Sequence, residues 1–319
     1  SGLEPAPEDP PTPHTASEAT GGSSLIRDQA ACPFRAFAKH RLVLASLTSP
    51  QLGITASERG AFLHEALFRI WREIKSSHGL AGLSEAAEID LLEAAVSGAM
   101  QHVEHSCEAR GYSLRERIGQ ACWHLEQQLC KDILSHWLAH ERNRISPFRV
   151  VEMEQNQTLR VADVSLTLRP DRIDELEDGR RLVIDYKTRA PSKTNWLGDR
   201  PREPQLPLYT LLDSTIRGIA FAELPANHPG RFVAMGEDLG FAEGDGKSLG
   251  QQTKGAASTW TELVGQWHAS LEQLAVEFVA GVATVAPRPG ACDYCDLASL
   301  CRINERQTSV EQSELEDEF

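Results

Sequence analysis

Long apolar runs are absent from this sequence of 319 residues. A transmembrane helix needs about 18 or more consecutive apolar residues, so no segment is predicted to span a membrane. A signal peptide is absent as well, and the chain begins with serine instead of methionine. We therefore expect it to be a piece of a longer protein or a processed form. Hydrophobic residues make up 41% of the chain and charged residues 24%, which is typical of a globular fold.

Basic charge is in short supply, since 32 Lys and Arg residues face 46 Asp and Glu residues. The net charge of −14 argues against nucleic-acid binding, for which a basic surface is the usual sign. The two ends, residues 1–22 and 303–319, supply −4 and −5 of this charge. Residues 180–202, in contrast, contain seven basic and two acidic residues. We interpret this run as a phosphate-binding channel, with a solvated loop as the alternative.

Composition divides the chain into three parts. Residues 1–22 are rich in Pro, Glu, Ser, Thr and Gly and have almost nothing to bury, which predicts a disordered linker. Residues 23–302 form the predicted folded domain. Residues 303–319 form an acidic tail.

Helical periodicity dominates the first half of the folded part, and a strand pattern follows it. Thr55 and Glu58 have the spacing of a capping box and predict a helix start. Helices predicted over about residues 83–106 and 116–140 form a layer above a sheet. The second of these has four apolar residues in phase: Leu125, Leu129, Ile133 and Trp137. Short strands are predicted at residues 149–154, 158–161 and 164–168.

The segment Arg181–Thr188 is predicted to be a buried strand. Its first residues are apolar and β-branched, and the turn dipeptide Asp178-Gly179 precedes it. Because side chains alternate along a strand, Asp185 and Lys187 share one face. Charged groups on such a strand are costly unless they are paired or bind a metal ion. The strand is therefore a candidate for a functional site.

Asp171 lies upstream of that strand, across the turn. If its segment pairs with the strand as a hairpin, Asp171 approaches Asp185 and Lys187. Carboxylate oxygens suit a hard cation such as Mg²⁺, and the lysine can orient or deprotonate an attacking water. These groups together indicate metal-assisted phosphodiester hydrolysis. Glu152 or Glu154 is a further candidate carboxylate, although we expect each to be an exposed strand residue.

Asp171 followed by Asp185-Tyr186-Lys187 resembles the PD-(D/E)xK nuclease superfamily. The resemblance covers about residues 24–302 and implies an α/β fold of the restriction-endonuclease-like type, with a central mixed β-sheet flanked by helices. It also implies that the two aspartates bind one or two Mg²⁺ or Mn²⁺ ions, with the Tyr186 carbonyl as an extra ligand. Lys187 would then position the attacking water.

The segment Asp171-Arg172-Ile173-Asp174 is similar to the RecB/AddB branch of that superfamily. Relatives usually carry glycine three residues before the first aspartate, where this chain has Leu168. A motif G-x-x-x-H, here Gly60 to His64, supplies a metal-binding histidine in RecB-like nucleases. Taken alone, a histidine beside an apolar helix stripe is more often a packed or surface residue.

Gln205 and Tyr209 match a Q-x-x-x-Y motif of the same branch. Residues four apart lie on one face of a helix, so the two side chains are neighbours. The resemblance implies that they contact the substrate or the region of the catalytic lysine. An ordinary amphipathic helix start is the alternative.

Three of the seven cysteines form a C-x₂-C-x₅-C cluster: Cys292, Cys295 and Cys301. Disulfides within the cluster leave one of the three unpaired, and a tetrahedral or cubane metal site needs a fourth ligand. Cys32, in a Cys-Pro-Phe-Arg context, is the candidate for that ligand. The remaining cysteines lie in helical patterns and are predicted to be buried: Cys107, Cys122 and Cys130.

This order of cysteines resembles the AddB-type nuclease domain, in which one cysteine before the core and three after it bind a 4Fe-4S cluster. Spacing alone leaves zinc as an alternative. Either metal would join the two ends of the domain and stabilise folding by closing a long loop.

The resemblance implies a metal-dependent DNA nuclease of exonuclease type that acts on DNA ends or single strands. Its relatives work with a helicase subunit or an upstream helicase-like region in recombinational DNA repair, in the bacterial cytoplasm at the nucleoid. A catalytically silent scaffold of the same fold, which binds DNA or a helicase, is the second hypothesis. A zinc-binding interaction module is the third, and it explains only the cysteines.

Overall fold

A mixed sheet of five strands forms the centre of the protein. The computed structural model describes residues 19–45, 53–237, 239–241, 247–303 and 305. The central strands are β2 (Phe148–Glu152), β5 (Arg172–Leu176), β6 (Arg181–Lys187), β7 (Ile216–Glu223) and β8 (Arg231–Gly236). They are arranged in the order β2-β5-β6-β7-β8, in which β6 and β7 are parallel and the other neighbours are antiparallel. The prediction of a mixed sheet is confirmed.

A second, smaller sheet lies on one face of the central one. It consists of β1 (Ala19–Gly21), β3 (Gln157–Val161) and β4 (Val164–Leu168), in the order β1-β4-β3. Strand β1 is parallel to β4, so regular structure begins inside the segment predicted to be a linker. The rest of that segment and most of the predicted acidic tail lie outside the described residues.

Helices cover both faces of the central sheet. They are α1 (Ser23–Ala31), α2 (Pro33–Ala36), α3 (Ala56–Ile74), α4 (Ser77–Ala81), α5 (Glu85–Glu108), α6 (Leu114–Arg142), α7 (Gln205–Tyr209), α8 (Leu249–Gln252), α9 (Trp260–Val279) and α10 (Ala298–Cys301). A π-helix covers Phe37–Arg41 and a 3₁₀-helix covers Lys193–Trp196. None of the helices in the described ranges combines the length and apolar character needed to cross a bilayer.

Strand β6 contributes to two hydrophobic cores because its side chains alternate. Leu182, Ile184 and Tyr186 pack with α3, α5 and α6 on one face. Val183 packs on the other face, with α1, α7, α9 and the small sheet. Burial of each such side chain contributes roughly 1.5–3 kcal/mol. The two cores hold the strand that carries the candidate site rigidly between them.

The capping box predicted for α3 is confirmed. The Thr55 hydroxyl accepts a hydrogen bond from the Glu58 amide, and the Glu58 carboxylate accepts one from the Thr55 amide. The predicted apolar stripe faces the core: Leu63, Leu67, Ile70 and Ile74 are all buried. This stripe fixes the rotation of the helix, and therefore the direction in which its polar residues point.

The predicted stripe of α6 is wrong at its beginning, because Leu125 is 72% exposed. A step of four residues overshoots the helical period of 3.6 by about 40°, so three steps drift by about 120°. Ile133 and Trp137 are buried, and Trp123 takes the core position near the start of the helix.

The hairpin between β5 and β6 has the predicted arrangement. Arg172 pairs with Ile184, which brings Asp171, just before β5, beside Asp185. The turn uses Gly179 with a φ of 83°, a left-handed conformation that glycine adopts without strain. The register of this hairpin therefore determines the position of the candidate site.

Candidate active site

Two chain crossings between the sheets lie beside the end of β6. The chain crosses from the central to the small sheet around Glu154, and it returns around Asp171. The Glu154 amide donates to the Pro170 carbonyl at 2.9 Å, which ties the crossings together. The Asp171 carboxylate accepts a hydrogen bond of 2.8 Å from the Tyr186 amide. Asp171 is thus held against β6 at the predicted position.

His64 reaches the same place from α3. Its Nδ1 lies 3.2 Å from Asp171 Oδ2, and its Nε2 lies 2.8 Å from the carbonyl oxygen of Tyr186. The rings of His64 and Tyr186 also meet edge to face, with centroids 5.8 Å apart. The imidazole is therefore fixed by three contacts, and one ring nitrogen faces the carboxylate.

Glu154 joins this group, which corrects the expectation of an exposed strand residue. Strand β2 ends at Glu152, and Glu154 follows it with a φ of 53° and a side chain that is only 17% exposed. Its carboxylate, one of Asp171 and a ring nitrogen of His64 all lie within 4.8 Å of one another. Glu152, the other candidate, is half-buried and ion-paired with Arg181 at 3.4 Å.

Asp185 and Lys187 form an ion pair next to this group. Asp185 is 1% exposed, and its ion pair with Lys187 is its one cationic contact, since neither carboxylate oxygen accepts a well-directed hydrogen bond from the described residues. A buried carboxylate with so few partners is costly, and one explanation is a ligand that the oxygens are placed to bind. Oxygen and imidazole donors of this kind fit a hard divalent cation.

The pKa values of the site reflect its crowded charges. Burial lowers the pKa of His64, but Asp171 and Asp185 outweigh this effect and raise it to about 9. Burial raises the pKa of Asp185 to about 7, assisted by Asp171 and opposed by Lys187. Burial lowers the pKa of Lys187, but Asp185 outweighs this effect and raises it. The site therefore combines an excess of carboxylate with two cationic groups that partly balance it.

Gln205 and Tyr209 form hydrogen bonds that hold the chain just before Asp171, where it returns to the central sheet. The Gln205 amide donates to the Tyr209 hydroxyl at 2.9 Å, and that hydroxyl donates to the Arg169 carbonyl at 3.0 Å. Tyr209 is 2% exposed, and α7 carries Pro207 in its first turn, where proline is tolerated. In the described residues this pair contacts the chain just before Asp171; the expected contact with the lysine region is not among its hydrogen bonds.

An ionic network that the sequence did not reveal lies beneath the site. Arg172 is fully buried and bonds to Asp174 at 2.6 and 2.7 Å and to Glu141 of α6 at 2.7 Å. Arg144 bonds to Asp174 at 2.6 Å and to Glu141 at 3.3 Å. Two positive and two negative charges therefore balance. Arg172 also donates to the Tyr186 hydroxyl at 3.3 Å, directly below the peptide that contacts His64.

The basic run at residues 180–202 divides into two groups. Arg180 and Arg181 are engaged at the far end of β6, in ion pairs with Asp178 and Asp213. Arg200 and Arg202 lie beyond the other end, where they donate to backbone carbonyls of neighbouring segments. The interpretation of the whole run as one phosphate-binding channel is therefore wrong. Only the second half of the run lies on the side of the candidate site.

The four predicted cysteine ligands line one cavity: Cys32, Cys292, Cys295 and Cys301. Burial raises the pKa of Cys292, and the other three thiols raise it further. Hydrogen bonds hold the two ends of the domain together here, from the Phe34 amide to the Thr284 carbonyl at 3.1 Å and from the Arg288 amide to the Ala31 carbonyl at 2.9 Å. Four thiols in one cavity form a donor set that fits iron or zinc.

The other cysteines lie in the helical layer. Cys107 and Cys130 are 1% exposed, as predicted, whereas Cys122 is half-buried. Burial raises the pKa of the Cys130 thiol to about 12. These cysteines are therefore not part of the cavity at the ends of the domain.

Comparison with families of known proteins matches residues 24–302 to the PD-(D/E)XK nuclease superfamily. The chain belongs to this superfamily. The prediction of a PD-(D/E)xK domain is thereby confirmed, and membership indicates a nuclease that uses divalent metal ions and acts on DNA. A search among curated proteins found no match.

Proposed function

We propose that this PD-(D/E)XK protein is a Mg²⁺- or Mn²⁺-dependent deoxyribonuclease of the RecB/AddB type. The observation that carries the proposal is the convergence of four groups, from one helix and one hairpin, at the end of β6: His64, Asp171, Asp185 and Lys187. These are the charged residues predicted from the sequence motifs. Glu154, a candidate carboxylate that was expected to be exposed, lies with His64 and Asp171.

We assign metal binding to His64, Glu154, Asp171 and Asp185. A divalent ion bound there would polarise the phosphodiester and lower the pKa of a bound water. The Tyr186 carbonyl is engaged by Nε2 of His64, so its role here is to orient the imidazole with Nδ1 toward Asp171. A hydrogen bond from the ring nitrogen that does not bind the metal fixes the tautomer and the direction of a metal-binding histidine.

Lys187 acts as a cation in this proposal. The raised pKa keeps its ammonium group protonated, so it is suited to orient the attacking water and to offset negative charge on the phosphate. Gln205 and Tyr209 act indirectly, by holding the crossing that carries Asp171.

We further propose a 4Fe-4S cluster at the four cysteines. The four thiols line one cavity that joins the two ends of the domain, and their order along the chain is that of the AddB-type nuclease domain. This order supports the cluster over a tetrahedral zinc ion, which the same donors would also fit. We expect the role of the cluster to be stabilisation of the fold.

The biological setting rests on the order of the motifs. The RecB/AddB resemblance implies an exonuclease that works with a helicase subunit or with an upstream helicase-like region. It also implies a role in recombinational repair in the bacterial cytoplasm. DNA ends or single strands are the expected substrates.

Hydrolysis of end-labelled linear DNA with Mn²⁺ or Mg²⁺ tests the catalytic assignment. We expect the wild type to release labelled products and Asp185→Asn and Lys187→Ala to be inactive. Asp163→Asn, a change of the same type at an exposed turn, serves as the matched control and should retain activity. Equal products from the wild type and both site variants would reject the assignment and favour the catalytically silent scaffold.

Metal content and colour test the cysteine site independently of hydrolysis. Protein purified without oxygen should be brown and contain iron, and Cys295→Ser should lose both. Cys107→Ser, in the helical layer, is the control and should keep the iron. A colourless preparation that contains zinc and no iron would overturn the cluster.

A further inference from the structure

Four arginines from three distant segments gather on the Lys187 side of the sheet. Arg200 and Arg202 lie in the loop 188–204 that follows β6. Arg200 donates to a carbonyl of α1 at 3.2 Å and to one of segment 284–290 at 3.0 Å, and Arg202 donates to another carbonyl of that segment at 2.8 Å. Arg288 belongs to the same segment, and Arg27 lies exposed on α1.

These arginines are not neutralised in the way that others are. Arg59 and Arg117, for example, form ion pairs with carboxylates. Within the described ranges, no carboxylate oxygen lies within the 4.0 Å ion-pair distance of any of the four. The buried Nε atoms of Arg200 and Arg288 also lack a hydrogen-bond partner among the described residues. Guanidinium groups without a carboxylate partner are suited to bind an anion through those N–H donors that solvent can reach.

Glu203 connects this cluster with the candidate active site. It is half-buried, immediately before α7, and burial raises its pKa while Arg27, Lys187 and Arg288 lower it. The carboxylate is therefore within electrostatic reach of both the cluster and the lysine. Burial lowers the pKa of Arg288, and Arg202 and Arg200 lower it further, whereas Glu203 does not outweigh them. Arg27 also interacts with Asp28, which already has Arg35 and His40 as partners.

We propose that Arg27, Arg202 and Arg288 bind a backbone phosphate of the nucleic-acid strand, next to the one that is hydrolysed, and that Glu203 competes with that phosphate for their positive charge. The proposal rests on the proposed nuclease function and deepens it. Arginine matches phosphate well because its planar donors reach two oxygens together. Glu203 interacts electrostatically with Lys187 as well as with Arg27 and Arg288, which links this subsite to the metal centre.

Binding of a fluorescent single-stranded oligonucleotide, measured by anisotropy in EDTA, tests the arginines without any hydrolysis. We expect Arg27→Gln/Arg288→Gln to bind about 10-fold more weakly than the wild type. Its plot of log K against log salt concentration should be shallower by about 0.7 or more, since a phosphate contact is lost. Arg149→Gln/Arg160→Gln removes the same charge from exposed positions on β2 and β3 and should bind like the wild type.

Glu203→Gln tests the competition and is expected to bind the oligonucleotide more tightly than the wild type. Glu177→Gln removes one negative charge from the exposed turn between β5 and β6 and serves as its control. Melting curves of all variants check that they remain folded.

The outcomes separate this inference from the nuclease assignment. If the wild type cleaves and binds DNA, but the arginine pair and Glu203→Gln behave like their controls, the subsite is rejected and the nuclease stands. If both arginine pairs weaken binding equally, the effect is one of net charge and the subsite is again rejected. A wild type that neither binds nor cleaves DNA rejects both.

Discussion

Asp174 and Asp185 lie on neighbouring strands of the central sheet, and both are almost completely buried. Asp174 belongs to the ionic network beneath the site, where Arg172 and Arg144 donate three hydrogen bonds of 2.6–2.7 Å to it. Asp185 belongs to the candidate metal centre, where its oxygens accept no hydrogen bond from the described residues and its charge is offset by Lys187.

The two regions use buried charge in opposite ways. In the network, each charge has a partner of opposite sign, and the aromatic rings of Trp71 and Phe148 stack 3.8 Å from the two guanidinium groups. At the end of β6, the Asp185 carboxylate accepts no well-directed hydrogen bond from the described residues, which costs free energy unless something binds it. The difference separates a part of the molecule that stabilises the fold from a part that is arranged for a ligand.

Arg172→Met should have the largest effect on stability. The substitution leaves Asp174 and Glu141 buried with one cation between them, and breaking a buried ion pair costs about 3–5 kcal/mol. Urea unfolding of the protein in EDTA measures the change. Arg149→Met removes a surface ion pair to Glu175 and should cost no more than about 1 kcal/mol. Equal losses in the two variants would contradict the distinction.

Asp185→Asn should change the free energy of unfolding in the opposite direction. Burial and the neighbouring Asp171 outweigh the ion pair with Lys187 and raise the pKa of Asp185 to about 7, so its negative charge opposes folding. Replacing it by a neutral amide should therefore raise the free energy of unfolding by about 1–3 kcal/mol in EDTA at pH 8. Hydrolysis of DNA should fall by on the order of 100-fold or more at the same time. Asp174→Asn is the matched comparison and should destabilise, because three charged hydrogen bonds are weakened. A loss of stability in both variants would show that Asp185 is a structural residue.

Asp28 provides a pH test of a buried carboxylate with two cationic partners, away from the metal centre. It lies 2.9 Å from His40 Nε2 and 2.8 Å from Arg35 Nε. Burial raises its pKa, but His40 and Arg35 outweigh this effect and lower it below the ordinary value of 3.8. A lowered pKa means that the carboxylate stabilises the fold above pH 4 and that this stability is lost as the pH falls through the lowered pKa.

Asp28→Asn should therefore cost about 1–2 kcal/mol at pH 7. The difference from the wild type should shrink on acidification below about pH 4, where the wild-type carboxyl is protonated as well. Unfolding curves at several pH values measure this convergence. Asp163→Asn, at an exposed turn, should show no difference at any pH.

Tyr186→Phe should have the smallest effect. It removes the hydroxyl that accepts from Arg172 at 3.3 Å but keeps the backbone carbonyl that contacts His64. We expect a loss of about 0.5–1.5 kcal/mol and a small change in the rate of DNA cleavage. A large loss of cleavage with stability unchanged would mean that the network positions the metal centre as well as the core.

Much of the candidate site was predictable because its residues lie in regular elements. The turn at Asp178-Gly179 and the alternation along β6 are enough to predict that Asp171 and Asp185 lie close together. The capping box of α3 set the start of the helix that carries His64. The motif resemblance then joined that helix to the hairpin, which no local pattern could do.

Glu154 was a candidate from the sequence, but the expectation that it is exposed was wrong for a physical reason. The pairing of β2 with β5 shifts register between Val150 and Glu152, and Glu154 follows with a left-handed φ. Alternation assigns faces only where a strand is regular, so it failed at this crossing. Arg172 was predicted as part of a motif, but its partner Glu141 comes from α6, and no sequence pattern links the two.

The sequence by itself determined the local elements, the order of the motifs and the groups that share a face, because these depend on periods of two and 3.6 residues. Tertiary structure alone decided which distant groups meet. The contact between His64 and Tyr186 spans 122 positions of the chain, and the one between Arg200 and Gln29 spans 171. Such contacts follow from the packing of two cores against the two faces of one sheet, and packing is a property of the whole chain.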